Sequence, residues 1–157
     1  MVLGSTATLQ YGTSEQWLEF WPDFSIIWES EHRAEAQSPE SKAQINDSLY
    51  EAYDSIDMLR IATARVNNNL VGYVVTLFIY NVPFLGTFSA YSAFYYVRQA
   101  YRGLGVGGTL IKIAEDQAKA KGAEYFYVSA KFSLPFIGLF KHFGWEDYEA
   151  TLRKKLV

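Results

Sequence analysis

The sequence predicts a mixed α+β domain, and three observations carry that expectation. Short β-branched and aromatic runs are interspersed with stretches of helical periodicity. Two of the runs, LRIATARV and LVGYVVTLFIY, are joined by Asn67, Asn68 and Asn69, residues that tolerate positive φ and so read as a hairpin turn. A glycine-rich stretch, YRGLGVGGTL, stands between a strand pattern and a helix pattern.

Taken in order, ATLQYG (Ala7 to Gly12) reads as a first strand. Trp17, Phe20, Trp21, Phe24 and Trp28 recur at steps of three and four, one face of helix, with Pro22 expected to divide it into two segments. Core packing is the favoured use of this aromatic stripe. Glu31 to Ser41 is polar, contains a proline, and reads as a loop or a frayed helix end. Ile45, Leu49, Tyr53 and Ile56 repeat at helical spacing behind Asn46, a good N-cap.

The hairpin follows, then a loop from Pro83 to Gly86 and a strand, FSAYSAFYYV, ending at Val97. Gly105 to Lys121 reads as a helix stopped by Gly122, and EYFYVSAK as a strand. Ser133 is expected to cap a short helix carrying Phe136, Ile137, Leu139, Phe140 and Phe143, ended by Gly144. The tail WEDYEATLRKKL is expected to supply a last strand or pair of strands.

Composition narrows the function. At 157 residues, half of them apolar, the chain is expected to be one domain, 1–157, with a sizeable core. It has no cysteine, which excludes disulfides, thiolate metal sites and a cysteine nucleophile, and its two histidines, His32 and His142, do not suggest a metal centre. A net charge of -3 without a basic run argues against nucleic-acid binding. Leu70 to Phe88 is the one stretch that could pass for a membrane span, but Asn81, Pro83 and its β-branched residues read better as a buried strand and loop. The N-terminal residues lack a signal-peptide pattern, so the expected setting is cytoplasmic. Aromatics make up 17% of the chain; the core explains most of them, with a homodimer surface as their other use.

YRGLGVGGTL fits two phosphate-loop patterns. Gly103, Gly105 and Gly108 match G-x-G-x-x-G, while Arg102, Gly105 and Gly107 match R-x-x-G-x-G. In either, the unpaired N–H groups and positive dipole at a helix start make an anion site, glycines admit a phosphate, and Arg102 adds charge. The dinucleotide pattern needs an acidic residue ending the next strand, whereas Glu124 precedes it; a Walker A loop needs Lys-Ser/Thr, which is missing before Thr109.

The segment YYVRQAYRGLGVGGTLIKIAEDQAKAKGAEYFYV resembles the central motif of the GNAT superfamily of N-acetyltransferases, and KFSLPFIGLFKHFGWEDYE its later motif, with Gly144-Trp145 in place of Gly-Phe. The region from Tyr50 to Lys131 is loosely similar to acetyltransferase-like proteins of tailed bacteriophages, which would imply a phage or prophage origin. The GNAT resemblance covers nearly the whole chain and implies a mostly antiparallel sheet, splayed between its fourth and fifth strands, with acetyl-CoA as donor and no metal. It places the backbone of Tyr96, Val97 and Arg98 beside the pantetheine arm, with the Val97 N–H as oxyanion contact. It puts the pyrophosphate on Arg102 and the loop Gly103, Leu104, Gly105, Val106, Gly107, Gly108 and Thr109, with Ser133 and Phe140 further along the donor site.

Two departures bear on catalysis. Phe140 stands where the family commonly has a tyrosine acid, and Ser133 where an asparagine is often found. Tyr91, Tyr95 and Tyr96 are the polar options on the fourth strand; Glu29, Glu31 and His32 could line an acceptor groove, though exposed surface charge is the favoured use of each. The general acid and base stay unassigned. The expected activity is transfer of an acetyl group to an unidentified amine by direct attack; the alternatives are a CoA-binding or partner-binding domain with little transfer, and a nucleotide-dependent oxidoreductase.

Overall fold

A computed structural model describes residues 8–36, 44–80, 87–129 and 136–156. Apart from the expected strand of the tail, the expected strands and helices are present in the expected order. β1 (Leu9–Gly12) leads to α1 (Trp17–Ile27), a π-helical turn (Trp28–His32), α2 (Arg33–Ala36) and α3 (Asp47–Ser55). Then come β2 (Leu59–Val66), β3 (Asn69–Tyr80), β4 (Phe88–Val97), a 3-10 turn (Gln99–Tyr101), α4 (Val106–Lys121), β5 (Tyr125–Val128) and α5 (Phe136–His142). Among the described residues the five strands form one sheet in the order β1-β2-β3-β4-β5, antiparallel except for the parallel pair β4–β5.

The local chemistry explains the boundaries. Asn67 and Asn68 adopt φ of 50° and 67° at the β2–β3 turn, the left-handed pair that a two-residue hairpin loop demands. The Asn46 side chain accepts from the Leu49 N–H and caps α3. Gly105 and Gly122 bracket α4 at φ of 80° and 93°. β3 is buried along most of its length, which accounts for the apolar stretch that resembled a membrane span; among the described residues no helix is long and apolar enough to cross a membrane.

Helices cover both faces of the sheet. On one, Trp17, Phe20, Phe24, Ile27 and Trp28 pack on Leu59, Ile61, Tyr73, Val75 and Tyr96. On the other, Val106, Leu110 and Ala114 of α4 pack on Ala62, Val71, Val74 and Val97.

Two expectations are corrected and a third is narrowed. Pro22 does not divide the aromatic helix; α1 runs through it, and both Pro22 and Leu18, whose carbonyl loses its partner, lie on the exposed side where water can replace the bond. Of the two readings of Glu31–Ser41, loop or frayed helix end, the second fits its described part, which is helical to Ala36; residues 37–41 lie outside the described residues. The tail from Trp145 to Leu156 forms no strand: Trp145 packs on Phe126 and Phe140 and Tyr148 meets Tyr127, but Leu152 and Leu156 are 93% and 85% exposed, so little apolar burial offsets the cost of ordering the rest. The expected loop at Pro83–Gly86 and the Ser133 cap lie outside the described residues.

Candidate active site

Two backbone features meet at the C-terminal end of β4. The first is an open edge. Among the described residues, β5 pairs with β4 only from Ser89 to Ser92, while β4 runs on to Val97. At the parting point β4 carries a bulge: Phe94 faces Val75 and Ser92 faces Thr76, leaving Ala93 as the extra residue.

Beyond the bulge the hydrogen-bond phase is set by Arg98, whose N–H donates to Val71 O at 2.8 Å. Antiparallel pairing alternates, so Tyr96 and Phe94 also turn their N–H toward β3, whereas Val97 and Tyr95 turn theirs to the open edge. The Val97 carbonyl agrees, since it accepts from Arg102 Nε at 2.9 Å.

The second feature is the cradle. Gly103 and Gly105 both hold φ of 80°, and a Cβ on either would meet nothing within 4 Å. Among the described residues no acceptor is bonded to the N–H groups from Gly103 to Gly108; the first helical bond is Thr109 N–H to Gly105 O. These amides gather at the positive end of a 16-residue helix.

Not every glycine in the stretch has open space beside it. A Cβ on Gly107 would fall 2.5 Å from Tyr95 Oη and 3.2 Å from Leu139, and one on Gly108 would fall 2.8 Å from Phe143. Those two positions are small so that β4 and α5 can pack on α4. Val106 offers only its backbone, as its side chain is buried, and the Thr109 hydroxyl donates to Gly105 O.

The side chains divide between the two faces. Tyr95 lies under α5, with ring centroids 5.2 Å from Phe140 and 5.4 Å from Phe136. Burial pushes its phenol up to about 12, so it stays protonated at the start of α4. Phe140 itself is buried between Tyr95 and Trp145 and has no proton to give.

Tyr96 points the other way and donates to Glu35 Oε1 at 3.1 Å; burial and the Glu35 charge raise its pKa. Arg102 donates from Nη2 to Glu35 Oε2 at 2.6 Å, with its guanidinium 5.3 Å from the Tyr96 ring centre, and Arg98 Nε donates to Glu31 at 2.5 Å. Glu29 instead pairs with Arg33. Sequence reading named Glu31 and missed Glu35. The available signal was spacing: Glu31 and Glu35 are four apart, as are Arg98 and Arg102.

His32 lies inside this face, stacked on Tyr96 at 4.4 Å with Nδ1 2.6 Å from Tyr73 Oη. Burial, helped by the nearby Arg102 charge, lowers its pKa from 6.5 to about 3. Tyr73 is raised well above its ordinary value by burial and keeps its proton. Its hydroxyl has no other acceptor among the described residues, so it donates to Nδ1 and the ring proton sits on Nε2.

A neutral buried histidine makes stability pH-dependent in a stated direction. Between pH 6.5 and 3 the unfolded chain binds a proton there that the native state does not, so the contribution is complete above about pH 6.5 and is lost as the pH falls. From pH 7 to pH 5 the wild type is expected to lose about 1 to 2 kcal/mol more than His32→Gln in urea unfolding. Parallel losses in the two proteins would mean that His32 titrates normally.

His142 is exposed on α5, and Ser133 lies outside the described residues. Among the described residues no three His, Asp or Glu side chains gather to hold a metal ion.

Several solved structures share this architecture. An aminoglycoside acetyltransferase from an uncultured soil metagenomic sample aligns over 96% of this chain and 99% of its own, with TM-score 0.74 and 14% identity. The ribosomal-protein-alanine N-acetyltransferase of Brucella melitensis biovar Abortus 2308 covers 94% and 99%, with TM-score 0.61 and 20% identity. A predicted acetyltransferase from Clostridium acetobutylicum, solved with acetyl-CoA, covers 95% and 97%, with TM-score 0.69 and 19% identity. At these identities the likeness is one of fold, and the looser likeness to phage-encoded proteins finds no support in them. No curated protein matches the chain by sequence. The model of the acetyltransferase (GNAT) family matches residues 15–145, which include the open edge of β4, the glycine cradle and α5. The chain therefore belongs to the GNAT family of acetyltransferases.

Proposed function

We propose that this chain takes an acetyl group from acetyl-CoA and passes it to an amine by direct attack. The observation that carries the reading is the continuity of the cradle with the open edge of β4: amides at a helix start that have no partner among the described residues, followed by outward N–H groups at Val97 and Tyr95. A donor with phosphates at one end and an amide-bearing arm at the other fits that sequence of groups. When bound, acetyl-CoA supplies an activated thioester.

The residues would act as follows. The N–H groups from Gly103 to Gly108 receive the phosphates at the positive end of α4. Val97 adjoins the cradle, so its N–H meets the near part of the arm. Tyr95 lies two residues, roughly 6.6 Å, further along the strand, and its N–H is the better-placed donor to a carbonyl oxygen that gains charge during attack. This moves the oxyanion contact from Val97, where motif position put it, to Tyr95.

The amine nitrogen forms a bond to the acetyl carbon, the carbon–sulfur bond breaks, and the nitrogen loses one proton as the sulfur gains one. Phe140 cannot supply that proton, and the Tyr96 phenol is turned toward Glu35. His32, held neutral with a pKa of about 3, is a poor base. Positioning and water-borne proton transfer are thus the chain's contribution.

Phe140 also favours a second reading, a CoA-binding protein of little activity. Release of free CoA thiol from acetyl-CoA across a panel of amines, including aminoglycosides and peptide N-termini, separates the two. Amine-dependent release supports the transferase; calorimetric binding of acetyl-CoA without release supports the second; absence of binding sinks both.

A further inference from the structure

Two matched ion pairs tie the acidic helix segment to the donor loop. Glu31 and Glu35 lie on consecutive turns of the π-helical turn and α2, and they meet Arg98 and Arg102 on either side of the 3-10 turn Gln99–Tyr101. The Arg102–Glu35 pair is the more elaborate. Arg102 Nε is held by Val97 O at 2.9 Å and Nη2 by Glu35 at 2.6 Å, while the second Glu35 oxygen accepts from Tyr96.

The guanidinium therefore lies on the Tyr96 side of the sheet, the face covered by α1, and α4 covers the other. The arginine whose motif position assigns it to a phosphate is already neutralised by a carboxylate of the same chain.

We propose that Glu35 is a positioning residue that sets the strength of donor binding, by competing with the donor's phosphates for the Arg102 guanidinium. The inference rests on the donor-site reading above. A carboxylate and a phosphate are interchangeable partners for a guanidinium, and one N–H cannot serve both at full strength. Arg102 and Glu35 are 39% and 40% exposed at the side chain, so the pair is weak enough to exchange with ligand. Donor binding at Arg102 would then release Glu35, and with it the tie between α2 and the loop.

The test is calorimetric titration of the full chain with acetyl-CoA at low salt, alongside steady-state kinetics. Glu35→Gln is expected to lower Kd roughly two- to fivefold and to lower KM for acetyl-CoA in step, without raising kcat. The gain should vanish when Glu35→Gln is made in an Arg102→Gln background. Glu19→Gln, which removes the same charge from α1, should leave Kd unchanged.

Unchanged or weaker binding by Glu35→Gln would show that Glu35 only anchors α2 and would overturn the proposal. A gain that persists in the Arg102→Gln background would overturn it as well, since Glu35 would then act as a distant charge. Failure of the wild type to bind acetyl-CoA would remove the donor-site reading itself, a different result from wild-type binding with no response to Glu35. The thermal midpoint of each variant checks folding, and Glu35→Asp, which keeps the charge but shortens the reach, should fall between wild type and Glu35→Gln.

Discussion

Glutamate in place of Gly105 is expected to weaken acetyl-CoA binding about a hundredfold or more while the chain stays folded. Gly105 caps α4 at φ of 80°, among the unpartnered amides of the cradle. A Cβ there meets no described atom within 4 Å, so a clash at the backbone is not the cause of the loss. Two effects add instead. The left-handed backbone strains any residue with a Cβ by about 1–2 kcal/mol, and a carboxylate occupies the place where the helix dipole and free N–H groups would hold a phosphate. Gly105→Ala separates them, since it carries the strain without the charge and should lose far less affinity. Titration of both variants with acetyl-CoA, with circular dichroism as the folding control, measures the difference. Near wild-type affinity in Gly105→Glu would place the phosphates elsewhere.

The largest effect on stability is expected from Trp17→Ala, a loss of about 3–5 kcal/mol in urea unfolding. Trp17 is fully buried and stacks on Tyr50 at 4.8 Å, with Trp21, Phe20 and Phe24 within 6 Å between ring centres. It also bonds α3 twice, from Nε1 to Asp47 at 2.6 Å and from its backbone N–H to Asp54 at 2.8 Å. Removing the indole opens a cavity at the junction of α1, α3 and the sheet and leaves Asp47 without that donor. Trp17→Phe keeps most of the ring volume and loses the Nε1 bond, so its loss should be smaller, about 1–2 kcal/mol. Equal losses in the two variants would mean that the hydrogen bond, and not the packing, carries the site.

Local chemistry made much of this fold readable. Asn67 and Asn68 announced their turn because few residues accept φ near 60°, and Gly105 and Gly122 announced both ends of α4 for the same reason. Failures came where a residue's effect depends on what lies across space. Pro22 was read as a break because the sequence does not show that its face of α1 is exposed. The tail was expected to supply a strand, but a strand needs a partner edge, and among the described residues none pairs with it. The glycine-rich turn at the start of α4 was legible as a local motif, whereas the Arg102–Glu35 pair joins residues 67 apart and depends on how α2 is turned. The close packing of Gly107 on Tyr95 and of Gly108 on Phe143 was hidden similarly, since glycine spacing alone does not distinguish room for a ligand from room for a neighbour.

The π-helical turn at Trp28–His32 adds a meaning of its own, because such a turn is one residue inserted into a helix. One residue advances a helix by about 100°, so the insertion sets the angular phase of everything after it. Trp28 looks into the core while Glu31 and Glu35 reach the end of β4. Wound as a regular α-helix, the same residues would carry Glu35 about 100° further round and away from Arg102, whereas the wide turn absorbs the extra residue and keeps Glu35 on the β4 side. The tie between α2 and the glycine loop thus depends on how one turn is wound, and a regular helix of the same sequence would lose it with every charge still in place.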